Sequence, residues 1–350
     1  MNNETRKETQ VLPKDVRYVG ADDLTLPLFE NQYPVQPMGV SYNSYLILDE
    51  KIAVMDSVDA RAADEWLAKL AHELDGRSPD YLVISHMEPD HSGSILRLAE
   101  KYQEMKLVGN TKTFTMLRQF FGAKAPTDDR LLEVGEGETL PLGAHTLHFM
   151  LAPMVHWPEV MVAYEETEKL LFSADAFGRF GSLGRTANAP WAPQARRYYY
   201  NIVGKYGAQV QALLKKASAL EIKTVCPLHG PVLTGEALGE ALRLYDLWSR
   251  WQSESPDDIL LAHASIHGNT ARAAELFKQK LEAKGARVTL CDLTTTEVSY
   301  AVANAFYCGK LVLACSTYDG GLFPPMEEFL SHLQAKGFRS RTVGLMENGS

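Results

Sequence analysis

The feature that most constrains this chain is a short apolar run that ends in a cluster of imidazole and carboxylate side chains. Residues 81–85 (YLVIS) are rich in β-branched and aromatic residues and predict a buried strand. The run leads directly into HMEPDH, which contains His86, Glu88, Asp90 and His91. Unpaired carboxylates are costly to remove from water, so this cluster at a strand end predicts a bound cation.

Three further candidate ligands follow apolar runs downstream. His156 follows HFMLAPMV, Asp175 follows LLFSA, and His229 follows TVCPL. Strand ends on one edge of a sandwich can converge on one pocket, so we expect all seven side chains to lie together. Four imidazoles and three carboxylates are enough for two metals that share a bridging carboxylate, and this mixture suits iron, manganese or zinc.

Composition excludes several classes of partner. The formal net charge is -9 and no run of Lys and Arg interrupts it, which argues against nucleic acid and anionic membranes. No apolar run is long enough to span a bilayer, and the polar N-terminus has no signal-peptide pattern. The four cysteines are scattered, so we expect free thiols in a reducing, cytoplasmic compartment and no four-cysteine metal site.

The 350 residues are enough for two domains, and the character of the sequence changes near residues 251–258. We predict one domain over 1–252 and a second over 257–350. In the second, ILLAHAS, RVTLCDL, KLVLACS and RTVGLMEN read as strands that alternate with helices. This alternation predicts an α/β fold with a doubly wound parallel sheet.

Two loops of the second domain predict a flavin site. SIHGNT follows the first strand and opens a helix, without the Lys of a nucleotide P-loop, so the phosphate of FMN fits it best. STYDGG follows the third strand and resembles the flavodoxin loop that lines the isoalloxazine ring. The candidate FMN-binding residues are Ser265, His267, Gly268, Asn269, Thr270, Ser316, Thr317, Tyr318, Asp319 and Gly320.

The spacing of HMEPDH, His156, Asp175 and His229 resembles the metallo-β-lactamase superfamily, whose hydrolases usually carry His-x-His-x-Asp-His. Glu88 stands at the second His and resembles the flavodiiron proteins (A-type flavoproteins). The stretches SYNSYLI, APMVHWPE, LLFSADAFGRFG, RRYYYNIV and CPLHGPV also resemble that family. The resemblance implies an N-terminal αββα metallo-β-lactamase-like sandwich and a C-terminal flavodoxin-like domain. Because the sequence ends at ENGS, that domain is expected to be truncated, without its last strand and helix, which puts FMN affinity in question.

The resemblance also implies a di-iron centre and its chemistry. One iron would be held by His86, Glu88 and His156, and the other by Asp90, His91 and His229, with Asp175 bridging them. The implied reaction is reduction of O2 to water, or of NO to N2O. Electrons would come through FMN from an external carrier such as rubredoxin, in a head-to-tail homodimer or a dimer of dimers.

Two other functions stay open at the level of sequence. A two-zinc hydrolase would use the same sandwich, and a flavin-and-iron gas sensor would bind NO or O2 without turnover. The choice between O2 and NO also stays open. Trp157, Tyr200, Tyr45 and Phe177 are candidates for the wall of the substrate pocket, with core packing as the alternative for each.

Overall fold

The computed structural model describes residues 11–348 and divides the chain into two compact units. The first comprises Met1–Ala195 and Ala212–Leu242, and the second Arg196–Gln211 and Arg243–Ser350. The outer ends of the two predicted domains, residues 1–10 and 349–350, lie outside the described residues.

Strands and short helices alternate along the described chain. The strands before residue 250 are β1 (Val16–Tyr18), β2 (Ala21–Asp23), β3 (Leu28–Phe29), β4 (Tyr33–Pro34), β5 (Val40–Tyr42), β6 (Tyr45–Ile47), β7 (Ala53–Met55), β8 (Tyr81–Val83), β9 (Lys106–Gly109), β10 (Leu131–Glu133), β11 (Thr139–Pro141), β12 (Thr146–Leu151), β13 (Met161–Glu165), β14 (Leu170–Phe172), β15 (Thr224–Cys226) and β16 (Leu233–Thr234). The helices in the same part are α1 (Ala63–Leu74), α2 (Pro89–Ser92), α3 (Ile95–Lys101), α4 (Thr111–Phe121), α5 (Leu183–Thr186), α6 (Trp191–Tyr198), α7 (Gly207–Ala217) and α8 (Gly235–Ser249).

The first unit contains two six-stranded sheets, ordered β1-β6-β7-β8-β9-β10 and β11-β12-β13-β14-β15-β16. Side chains from both sheets, including Met55, Val83, Phe149 and Phe172, form one buried core. Removing this apolar surface from water is the main force that holds the two sheets together.

Parallel pairing brings the candidate ligands to one edge of each sheet. In the first sheet, β7, β8 and β9 run parallel, so their C-terminal ends lie at the same edge. Asp56 follows the end of β7, and His86 follows the end of β8. In the second sheet, β14 and β15 are parallel and lead to Asp175 and His229. A backbone hydrogen bond of 2.9 Å, from the Met161 amide to the Ser85 carbonyl, connects the two edges.

The second unit contains a parallel sheet. Its elements are β17 (Ser255–Ala264), α9 (Asn269–Glu282), β18 (Val288–Asp292), α10 (Val298–Tyr307), β19 (Cys308–Tyr318), β20 (Gly321–Leu322), α11 (Pro324–Ala335) and β21 (Thr342–Asn348). Strands β18, β17, β19 and β21 are parallel in that order, and β20 pairs antiparallel with the end of β19. The crossovers on both sides of β17 make the sheet doubly wound, as predicted.

The predicted strand at residues 81–85 is confirmed as β8, and the four parallel strands predicted after residue 254 are confirmed as β17, β18, β19 and β21. Helices α4, α5, α6 and α8 were not predicted. The compact units also differ from the predicted boundary at 252–257, because 196–211 and 243–254 belong to the second unit. The reason is aromatic packing: Tyr200 stacks on Phe306 with ring centroids 3.9 Å apart, and Tyr199 contacts Trp248. Among residues 11–348, no helix combines the length and apolar character needed to cross a bilayer.

Candidate metal centre

The backbone around HMEPDH turns sharply and so presents its polar side chains to one side. The chain leaves β8 through Ile84 and Ser85, and Pro89 then occupies the first position of α2, where its fixed φ is favourable. Asp90 and His91 lie on this single turn of helix. The turn is short, so ligands from before and after Pro89 can face the same space.

One group of four candidate ligands gathers around Asp175. His156 Nε2 lies 2.9 Å from Glu88 Oε2 and 3.1 Å from Asp175 Oδ2. His86 Nε2 lies 3.4 Å from the same Asp175 oxygen and 3.6 Å from Glu88 Oε2. One atom of each residue can therefore face a single ion, because these atoms all lie within 4.8 Å of one another.

A second group of three lies on the other side of Asp175. The Nε2 atoms of His91 and His229 are 3.0 Å apart, and Asp90 Oδ2 is 3.5 Å and 3.2 Å from them, respectively. The other oxygen of Asp175, Oδ1, is 3.8 Å from both imidazoles. Asp175 thus directs one oxygen to each group, which is the arrangement of a bridging carboxylate.

The candidate ligands are better placed to bind metal ions than to form hydrogen bonds with one another. Both oxygens of Asp175, both of Asp90 and both ring nitrogens of His86 are buried without a hydrogen-bond partner among the described residues. They face one another at ion-pair distances, but not in hydrogen-bonding geometry. Bonds of about 2.1 Å from several ligand atoms to one shared cation would place those atoms about 3 Å apart, which is close to the spacing within each group. Cations would therefore satisfy polar atoms that the protein leaves unsatisfied.

The ionisation of the site follows from its negative charge. Burial alone would lower the pKa of His86, but the Asp175 and Glu88 carboxylates outweigh it and raise that pKa well above the usual value. The same two carboxylates outweigh burial at His156 and raise its pKa to about 10. At His91 burial prevails and lowers the pKa to about 4. Protons on His86 and His156 thus neutralise the carboxylates, and a metal ion would replace those protons.

Contacts outside the two groups fix the orientation of the ligands. His229 donates from Nδ1 to the Ser41 carbonyl at 2.7 Å, which leaves Nε2 directed at the centre. The buried Asp56 carboxylate accepts the backbone amide and the hydroxyl of Ser85, the residue before His86, at 2.7 and 2.5 Å. Burial raises the pKa of Asp56 to about 6. These contacts make the end of β8 a rigid support.

A pocket of about 470 Å³ leads to Glu88 and Asp90. Glu30, in the β3–β4 turn, is one of the residues that line it, and desolvation together with the nearby Glu88 carboxylate raises the pKa of Glu30 to about 8. Arg61 also lines the pocket and donates to the Tyr42 hydroxyl at 3.2 Å. No periodicity or motif points to Glu30, Tyr42 and Arg61, because these residues come together only in the folded chain.

The four predicted pocket-wall residues occupy different environments. Trp157 contacts His86 with ring centroids 6.4 Å apart. Tyr45 packs in the sandwich core and donates to the Pro227 carbonyl at 2.8 Å, so its role is structural. Tyr200 lies in the aromatic core of the second unit, and Phe177 is buried in the first. Core packing therefore accounts for Tyr45 and Tyr200.

The two loops predicted to bind FMN meet in the second unit. Thr270 Oγ1, in the first turn of α9, lies 2.8 Å from Ser316 Oγ at the end of β19. The Ser265 hydroxyl is buried without a hydrogen-bond partner among the described residues, and Gly268 has φ +83° with open space beside it. An unsatisfied hydroxyl beside a helix N-terminus suits a phosphate. Seven of the ten candidate FMN-binding residues are solvent-exposed: His267, Gly268, Asn269, Thr317, Tyr318, Asp319 and Gly320.

The chain is similar in sequence and fold to several known proteins. The family described as ODP family beta lactamase matches residues 40–230. The crystal structure of the flavodiiron protein from Giardia intestinalis has a TM-score of 0.89 and 27% identity, covering 95% of this chain and 82% of that one. The rubredoxin-oxygen oxidoreductase of Megalodesulfovibrio gigas is 29% identical over 92% of this chain and 80% of its own length. The anaerobic nitric oxide reductase flavorubredoxin of Vibrio vulnificus is 27% identical over 93% and 67%, respectively.

The fold and the site together define a protein with a metallo-β-lactamase-like sandwich. Within that class, the chain belongs to the ODP family beta lactamases and is a flavodiiron oxidoreductase. The chain spans about half the length of the diflavin flavoproteins that it also matches (50–54%).

Proposed function

We propose that this chain reduces O2 to water, or NO to N2O, at two iron ions held by the seven clustered side chains. The observation that carries the proposal is the division of the seven into two groups, with one Asp175 oxygen facing each. Relatives named rubredoxin-oxygen oxidoreductase and anaerobic nitric oxide reductase flavorubredoxin support it.

The ligand types favour iron over a hydrolytic pair of zinc ions. Glu88 adds a carboxylate where hydrolases carry an imidazole, and carboxylates favour harder, redox-active ions and stabilise their oxidised state. His86, Glu88 and His156 would hold one ion, Asp90, His91 and His229 the other, and Asp175 would bridge them. Iron bound there would supply electrons to the diatomic substrate. The residues of the chain would orient the ions, and the pocket is lined by Glu88 and Asp90.

Electron supply is part of the same proposal. Reduction of one O2 takes four electrons and four protons, whereas two NO take two of each. FMN at the Thr270 and Ser316 loops would pass electrons singly from a rubredoxin-like donor. The pairing of these loops at 2.8 Å and the unsatisfied Ser265 hydroxyl support FMN there. A head-to-tail homodimer is proposed from the family resemblance alone.

The test is metal and flavin analysis joined to gas consumption. We expect about two iron and one FMN per anaerobically purified chain, and consumption of O2 or NO when an artificial reductant is supplied. Zinc with thioester or lactam hydrolysis, and no gas consumption, would establish the hydrolase instead. Iron nitrosylation without N2O release would establish a gas sensor.

A further inference from the structure

Glu159 is a buried carboxylate that lies beside the metal centre and is not one of its seven candidate ligands. Its side chain is 2% exposed. Oε1 accepts the backbone amide of Met87 at 2.8 Å, whereas Oε2 is buried without a hydrogen-bond partner among the described residues. An acidic side chain is seldom buried this deeply for packing alone, so its contact with Met87 needs an explanation.

Met87 stands between His86 and Glu88, and its peptide groups are held on both sides. Glu159 accepts a hydrogen bond from the Met87 amide, and the Ser92 hydroxyl donates one to the Met87 carbonyl, both at 2.8 Å. The Met87 side chain is itself fully buried. The backbone between these two ligands therefore has little freedom to rotate, and the directions of His86 and Glu88 are set by it.

Glu159 also belongs to the loop that supplies another ligand. It follows His156 by three residues, and its carbonyl accepts from the Asn110 side chain at 2.7 Å. Asn110 in turn caps α4 by accepting the Lys112 and Thr113 amides. One residue thus ties the loop of His156 to the loop of His86 and Glu88, and anchors both to a helix.

We propose that Glu159 is a positioning residue that aligns His86, Glu88 and His156 for metal binding through the Met87 amide. The inference rests on the metal site of the proposed function, but not on its substrate. The feature of Glu159 that matters is an acceptor oxygen on a side chain long enough to meet the Met87 amide. Outer contacts that orient metal ligands typically change metal affinity by about 10- to 100-fold when removed.

The test compares variants that separate the length of the side chain from its negative charge. Glu159→Gln keeps the reach and an acceptor oxygen, Glu159→Asp keeps the charge but is one methylene shorter, and Glu159→Ala removes both. Metal-free protein is titrated with Co²⁺ and followed by its visible absorption, and circular dichroism and urea unfolding check the fold. Glu166→Gln, an exposed change with the same chemistry, is the matched control.

We expect Glu159→Ala and Glu159→Asp to weaken Co²⁺ binding by about 10- to 100-fold and to shift the absorption bands, whereas Glu159→Gln stays within about threefold of the wild type with unshifted bands. If Glu159→Ala fails to fold, the comparison of Glu159→Asp with Glu159→Gln still decides. Wild-type affinity and spectrum in Glu159→Asp, or Co²⁺ binding by Glu159→Gln as weak as that of Glu159→Asp, would overturn the inference. Failure of the wild type to bind two Co²⁺ would instead overturn the proposed di-metal site.

Discussion

At the scale of single residues, Asp175 is the point where the two ligand groups meet. Its two oxygens face four imidazoles at 3.1 to 3.8 Å. Asp175→Asn leaves the size unchanged but removes the negative charge that both ions would share. We expect bound iron to fall from about two per chain to one or fewer, as measured by elemental analysis.

The matched control for that change is Asp64→Asn, since the Asp64 side chain is 90% exposed on α1 and should leave iron unchanged. Two irons per chain in the Asp175→Asn protein would show that this carboxylate does not bridge.

At the scale of elements, a charged contact ties two turns of the first unit. Asp49, in the β6–β7 turn, accepts the amide and the ring Nδ1 of His145 at 2.7 and 2.8 Å. Burial opposes the charge, but the hydrogen bonds from His145 outweigh it and lower the pKa of Asp49 to about 2. This stabilisation is present above pH 4 and is lost as the pH falls towards 2.

We therefore expect Asp49→Asn to lower the free energy of unfolding by about 1–2 kcal/mol at pH 7. The difference in unfolding free energy between the wild type and Asp49→Asn should become smaller as the pH falls from 4 to 2.5, as measured by urea denaturation of both proteins. A gap that stays constant over this range would mean that the charge of Asp49 is not the source of the stability.

The π-helical turn Tyr199–Val203 is the second element whose packing can be tested. Tyr200 stacks on Phe306 with an interplanar angle of 11°, and both rings are fully buried. Phe306→Ala should cost about 3–5 kcal/mol of unfolding free energy, since it leaves a cavity under the stack. Chemical denaturation measures this cost. Phe306→Leu, which fills most of the space, should cost clearly less, and equal costs would argue against the stack.

At the scale of the whole molecule, each unit has its own candidate ligand. We expect iron at about 1,000 times its dissociation constant to stabilise the protein by about 4 kcal/mol, which raises the unfolding temperature by about 8–16 °C. Calorimetry of metal-free protein with iron or FMN added separately measures the effect. Iron should raise the transition that includes the first unit, and FMN the one that includes the second. No shift with either ligand would contradict both sites.

The sequence predicted those parts of the molecule that local pattern determines. His86 to His91 could be recognised because the ligands are adjacent in sequence, and Asp175 and His229 because each follows an apolar strand. Glu159 was not recognised, although it lies in a stretch that resembles the family. Its role depends on an amide 72 residues away, and hydrogen bonds between distant segments leave no periodic signal.

The boundary of the second compact unit differs from the predicted domain boundary because segments distant in sequence pack together. The aromatic run around Tyr199 and Tyr200 is adjacent in sequence to the first unit, whereas its stacking partner Phe306 belongs to the second. Such a return of the chain to an earlier segment leaves no mark on the local composition. The assignment of the seven side chains as metal ligands stays a prediction, for which the distances and unsatisfied atoms are the support.

The early position of Tyr200 has a consequence for synthesis on the ribosome. Phe306, on which Tyr200 stacks, follows it by roughly 100 residues, which takes about 5–20 s at ordinary rates of elongation. During that interval the nascent aromatic segment has no stacking partner. We expect this to be the period when the growing chain is most readily captured by chaperones, and ribosome profiling of chaperone-bound chains would locate it.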